Sequence, residues 1–359
     1  MNFFRRYFRV AICVLLGGFE PTAHAQSSVT LYGVVDAGIL YTSKTLDLTT
    51  GQNAGHQFSL ISGGMTPSLF GFKGSEDLGG GTRAIFTLES GINLANGGFS
   101  DSNGNFFGRQ AFVGIQSDYG TVRAGLQFSP FLLSLVSSEV RGSSYFGSVV
   151  PIYVDNVFVT GGYNSNAISY ESPTVAGFQG NAMLALGGIA GDFQAGRQYS
   201  FSLNYTDGPV MVTAAMYSGN GGGTAATTPV PSTVPFFGRT IGASYSFEKL
   251  TLRAVFVNYR VSGSFDSRVY GGGFNYRITP ATYVDAGVWY TSDGNDTRNH
   301  SILAATGLTY NLSLATSLYA QFAFVNNHGK MDTGVSGNGA TFGAPGATFG
   351  ATVGMRHLF

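Results

Sequence analysis

Bond-making chemistry needs reactive side chains at workable spacing, and this chain of 359 residues offers few. Its one cysteine is Cys13, so thiolate ligation and disulfides have little to build on. His56, His300, His328 and His357 lack the spacing of metal ligands. Only His300, near Asp293 and Asp296, approaches a hydrolytic arrangement, and its segment reads as a solvated loop. The run GFKGSEDLGGG at 71–81 has the glycines and lysine of a phosphate loop but not the order GxxxxGK[ST]. Neither catalysis, metal nor cofactor is therefore expected. The remaining candidates are charges set in alternating segments: Asp36, Arg83, Glu89 and Arg123. Such groups act through their fields and make no bonds.

The elements that would hold those charges are strands. Arg83, Thr87 and Glu89 alternate with Ala84, Phe86 and Leu88. Arg123 shares its face with Gly125 and Gln127. Tyr199, Phe201, Leu203 and Tyr205 oppose serines and polar residues, and 240–247 and 316–325 repeat the pattern. Period two predicts strands with one apolar and one polar face. Sixteen are expected, near 29–42, 58–74, 82–93, 108–117, 120–129, 164–172, 178–187, 198–206, 210–218, 238–247, 251–260, 268–278, 281–291, 300–310, 315–326 and 348–359. Short turns alternate with longer polar or Gly/Pro-rich stretches, including 94–107, 130–163 and 327–347.

Composition says where such strands belong. Charged residues are 11% of the chain and aromatics 14%, against about 25% charged in ordinary soluble domains. Residues 1–25 read as an export signal: Arg5, Arg6 and Arg9, an apolar run, then Ala23-His24-Ala25 for cleavage after Ala25. The whole chain has 19 basic and 19 acidic residues; without the signal's three arginines and one glutamate, 16 face 18, a net charge of −2. No nucleic-acid partner is expected from that balance. No apolar run is long enough for a spanning helix, which leaves the closed β-barrel as the route into a membrane. Aromatics at strand ends, such as Tyr41, Tyr245, Phe247 and Tyr290, suit a membrane-interface girdle. The fold expected is all-β: a 16-stranded antiparallel transmembrane β-barrel over 26–359. A secreted soluble β-sandwich, serving as an adhesin or binding module, would show the same period and is the rival.

Several stretches in order carry a family resemblance: SSVTLYGVVDAGI (27–39), FGFKGSEDLGGGTRAIFTLE (70–89), GRQAFVGI (108–115), YGTVRAGLQFSP (119–130), NAISYESPTVAGF (166–178) and VGMRHLF (353–359). Together they resemble the general porins of Gram-negative bacteria, in the beta-proteobacterial branch. The resemblance implies an outer-membrane homotrimer passing ions and small hydrophilic solutes by diffusion. It implies a third loop, about 130–163, folded inward as an eyelet, bringing Glu139, Arg141 and Asp155 to the constriction. It makes Arg109 a pore arginine, and suggests that 94–107 reaches a neighbouring subunit. It also implies contact with lipid and lipopolysaccharide, and makes Phe359 the mark read by the barrel assembly machinery.

The sequence departs from the family where arginines would line the wall, at Leu69, Leu126 and Tyr163. Conductance is therefore expected to be weakly selective or mildly cation-selective. Arg83, Arg253, Arg277 and Arg356 could compensate from other inward positions. A substrate-selective porin is the alternative within the family. The chain's ending places Phe349, Ala351, Val353 and Met355 on one face and Arg356 on the other, so pairing with the first strand is expected to close the barrel.

Overall fold

A computed structural model describes residues 28–157, 162–220, 235–261, 263–264 and 266–359, with the side chains of 154–157 and 235 excepted. The signal expected at 1–25 lies outside the described residues. The strands are β1 (Ser28–Thr42), β2 (Gln57–Ser62), β3 (Leu69–Gly79), β4 (Thr82–Gly91), β5 (Gln110–Ser117), β6 (Gly120–Phe128), β7 (Tyr163–Glu171), β8 (Phe178–Ala185), β9 (Gln198–Asp207) and β10 (Val210–Asn220). They continue as β11 (Pro235–Ser246), β12 (Leu250–Val261), β13 (Asp266–Arg277), β14 (Thr282–Asp293), β15 (His300–Asn311), β16 (Thr316–His328), β17 (Thr333–Ser336), β18 (Ala340–Phe342) and β19 (Gly346–Leu358). Two helices, α1 (Pro130–Ser138) and α2 (Val149–Val157), lie between β6 and β7.

From β3 to β16 each strand pairs antiparallel with the next, β16 passes over the β17–β18 hairpin to pair with β19, and β1 pairs with β19 from Val34↔Leu358 to Thr42↔Gly350. The ring is closed, with β2 and β3 sharing one position along β1, so sixteen strand positions complete the barrel. Closure pairs every edge, which a sandwich of two open sheets does not do, and the sandwich reading falls.

Alternation sets the two faces. On β1, Val29, Leu31 and Ile39 point outward and are exposed, while Asp36, Leu40 and Thr42 point inward and are buried. Phe349, Val353 and Met355 are likewise exposed on β19. An exposed belt of large apolar groups is the surface a bilayer solvates. The backbone of Phe359 exchanges hydrogen bonds with Gly33, N to O at 3.1 Å and O from N at 2.9 Å. A Cβ at Gly33 would collide with the Phe359 ring, so the seat requires glycine there.

Two expectations need correction. The single strand expected at 58–74 is broken between Ser62 and Leu69. Gly63-Gly64 and Pro67 interrupt the strand pattern, and the break turns inward. The stretch 327–347, expected to be an outer loop, instead carries β17 and β18 as a hairpin whose first strand is buried throughout.

Candidate permeation site

The segment between β6 and β7 begins with a well-specified helix. Ser129 caps α1, its Oγ accepting from the Leu132 amide at 3.1 Å, and Pro130 occupies the first turn. Phe131 and Leu135 are buried against the inner face of β9–β12. The Phe131 ring meets Tyr217 and Tyr259 with centroids 6.3 and 6.2 Å apart. A Cβ at Gly238 would strike that ring, so glycine makes room for the docking.

Beyond α1 the contacts become polar. The Arg141 guanidinium pairs with Asp285 on β14 through Nε. It also donates to the carbonyls of Phe146 and Gly147, both at 2.7 Å, and to Gln321 Oε1 on β16 at 2.9 Å. Glu139 is fully buried; it accepts from the amides of Arg141 at 2.6 Å, Ser143 at 2.7 Å and Val149 at 3.3 Å. Burial pushes its carboxyl up, while those amides and the Arg141 charge pull it down. The faces touched here are opposite the exposed apolar belt, so residues 129–153 lie against the inner wall.

The break in the second barrel strand meets the same segment. Asp36 is fully buried, and its carboxylate accepts from the amides of Gly64 at 3.2 Å, Met65 at 3.0 Å and Thr66 at 2.8 Å, and from Tyr319 Oη at 2.6 Å. The turn held this way offers Met65 O to the Tyr145 amide at 3.1 Å and Gly64 O to Gln321 Nε2 at 2.9 Å.

A third cluster joins the wall to the loop after β4. Arg109 Nε pairs with Glu89 at 2.7 Å, and its Nη1 donates to Asp101 O at 3.3 Å and contacts Tyr163 Oη at 3.4 Å. Tyr32 Oη donates to Glu89 at 2.8 Å. Arg123 pairs with Glu171 at 3.0 Å, with both side chains still a quarter to a third exposed. Arg83 is exposed beside the turn to β3, far along its strand from Glu89.

The charges proposed from sequence thus fall into groups. Asp36 and Glu139 are sealed in hydrogen-bond networks and present no open charge. Arg109, Glu89 and Arg141 are nearly buried in pairs. Arg123 is paired and reachable, and Arg83 stands free at a strand end. Asp155 lies on α2, with its side chain outside the described residues. Leu126 pairs with Ala111 on β5 and lies at the register shift between Gly125 and Gln127 against β7. Tyr163, where the family would carry an arginine, accepts from Arg109 and donates to Asp101 O at 2.7 Å.

Sequence reasoning missed Asp285 and Gln321, which hold the segment from across the barrel, and Tyr319, which holds Asp36. Their polar types on inward positions of alternating strands were the available signal. It also missed that register brings His300 opposite His328, where the rings stack at 4.5 Å. Among the described residues no group of three His, Cys, Asp or Glu forms a metal cluster.

The Gram-negative porin family description matches residues 13–330. The chain is 28% identical to an outer membrane porin protein of Bordetella pertussis, over 96% of this chain and 98% of that one. It is 27% identical to outer membrane porin protein 32 of Delftia acidovorans, over 98% and 99%. An anion-selective porin from Comamonas acidovorans superposes with a TM-score of 0.79 at 24% identity, covering 93% of this chain and 100% of that structure. A trimer form of OmpT from Vibrio cholerae gives 0.67 at 14% identity, over 93% and 99%. With its closed barrel and lumenal loop, this chain belongs to the Gram-negative porin family, the outer-membrane channels through which small solutes diffuse passively.

Proposed function

We propose that this chain forms a weakly selective, non-catalytic pathway for ions and small hydrophilic solutes, without a strong preference for anions. The observation supporting this is the pairing of inward arginines with carboxylates: Arg109 with Glu89, Arg123 with Glu171, Arg141 with Asp285. A paired charge contributes little field at the pore axis, so these three arginines add little preference for anions; Arg253 and Arg356, on inward positions, form no salt bridge among the described residues and temper any preference for cations. Arg123, Arg83 and exposed Lys73 act on ions near one mouth; Asp36 and Glu139 serve the shape of the constriction. The Comamonas structure is described as anion-selective, and at 24% identity its likeness bears on the fold alone.

The working unit is a homotrimer in which 94–107 meets a neighbouring subunit, with lipid and lipopolysaccharide around the apolar belt. Residues 1–25 are the export signal, and Phe359 is the group read by the barrel assembly machinery. The decisive measurement is the zero-current potential of reconstituted trimers in a salt gradient. A value near zero or mildly cationic is expected, and a strongly anionic value would sink the selectivity reading. N-terminal sequencing of the exported protein is expected to begin at Gln26.

A further inference from the structure

We infer that the β17–β18 hairpin is a second constriction element, docked inside the barrel on the eyelet segment. Connecting loops normally run over the surface. Here all four residues of β17 are buried, with Thr333 and Ser336 fully so, and Ala344 beyond the hairpin is buried too.

A buried backbone must find its partners inside the protein, and this one finds them on two sides. Toward the eyelet, Gly147 N donates to Val335 O at 2.7 Å and Gly337 N donates to Tyr145 O at 2.6 Å. These bonds flank a bridge between Phe146 and Ser336. Toward the wall, Asn327 Nδ2 donates to Thr333 O at 3.0 Å, and Thr333 Oγ1 meets Ser301 Oγ at 3.0 Å. Asn338 Nδ2 donates to Ser62 O at 2.5 Å, beside the broken strand. The hairpin therefore extends the eyelet's edge as a small sheet and takes up lumen that a surface loop would leave open.

It also bears on the eyelet's position. The carbonyls of Phe146 and Gly147 are held by Arg141, while the Gly147 amide and the Phe146 bridge position are held by the hairpin. One short stretch is thus gripped from the wall and from the hairpin at once.

The test replaces residues 331–344 with a short Gly-Ser turn. Asn327 already pairs with Gly346, so a tight turn can close β16 onto β19 without disturbing the barrel. Removing a constriction element should raise single-channel conductance roughly twofold or more. This inference rests on the channel reading above, and the parent protein separates the two failures. A conducting parent with an unchanged deletion variant overturns the hairpin inference; silence in both overturns the channel reading and the inference with it.

Should the deletion variant not assemble, the double substitution Phe146→Cys with Ser336→Cys decides. Flanking hydrogen bonds make 146 and 336 a non-hydrogen-bonded pair, where backbones approach closely enough for a disulfide. Oxidised and reduced forms of the same variant are compared, so loss of the Phe146 ring cancels. Cross-linked trimers that conduct at the parental level support docking in the working channel. Absence of the cross-link in assembled trimers, or abolition of current that reductant restores, overturns it.

Discussion

The two ends of the eyelet segment are held in different ways. At α1, Phe131 and Leu135 press into an apolar patch around Tyr217 and Tyr259. Ten residues on, Arg141 spends its donors on Asp285, Gln321 and two carbonyls. Apolar contact is non-directional and tolerates small shifts. A buried guanidinium fixes both distance and angle, and leaving its partner alone is costly. The apolar end keeps the segment in the barrel, and the polar end sets where the backbone of Phe146 and Gly147 stands.

Breaking the polar end should have the largest effect. Arg141→Ala leaves Asp285 unpaired and frees two carbonyls, at a cost of about 3–5 kcal/mol. The unfolding temperature of the trimer should fall, and single-channel traces should become noisier and larger. Phe131→Ala should cost about 3 kcal/mol, at the low end for an aromatic truncation because water can enter a cavity beside the lumen. Its current should stay steady, since Arg141 still holds the constriction; noise as strong as in the arginine variant would erase the distinction between the ends.

Asp36→Asn keeps the side chain's shape but loses the charged acceptor for three amides and Tyr319, costing about 1–3 kcal/mol. It should loosen the turn at 63–68 and, through Met65 O, the Tyr145 end of the eyelet, read as faster proteolysis there. Arg141→Met combined with Asp285→Leu sharpens the comparison further. Stability should return to about the parental value, because an apolar pair can replace a buried ion pair. The noise should persist, because the carbonyls of Phe146 and Gly147 still lack their donor. Arg83→Ala should be the mildest: unchanged stability with a small displacement of the zero-current potential toward cations.

The wall was far more legible in the sequence than the lumen. Alternation is a local signal, repeated every two residues, and it assigned nearly every strand and the outward face. The break at 63–68 had its signal in Gly63-Gly64 and Pro67, which the single strand expected at 58–74 passed over. Register was harder: β6 shifts register against β7 between Gly125 and Gln127, and a one-residue step of that kind re-aims the side chains around Leu126. The hairpin at 333–342 had the small, glycine-rich composition of any surface loop.

Composition, period and the order of family stretches determined by themselves that this chain is an outer-membrane barrel whose polar face looks inward. Tertiary structure alone decided which charges remain available to a passing ion. Arg141 finds Asp285 across 144 positions of sequence, and Tyr319 finds Asp36 across 283. A strand's face is fixed by its own pleat. The partner of a buried charge is fixed by barrel curvature, register and the path of two inserted loops, none of which is written in a local pattern.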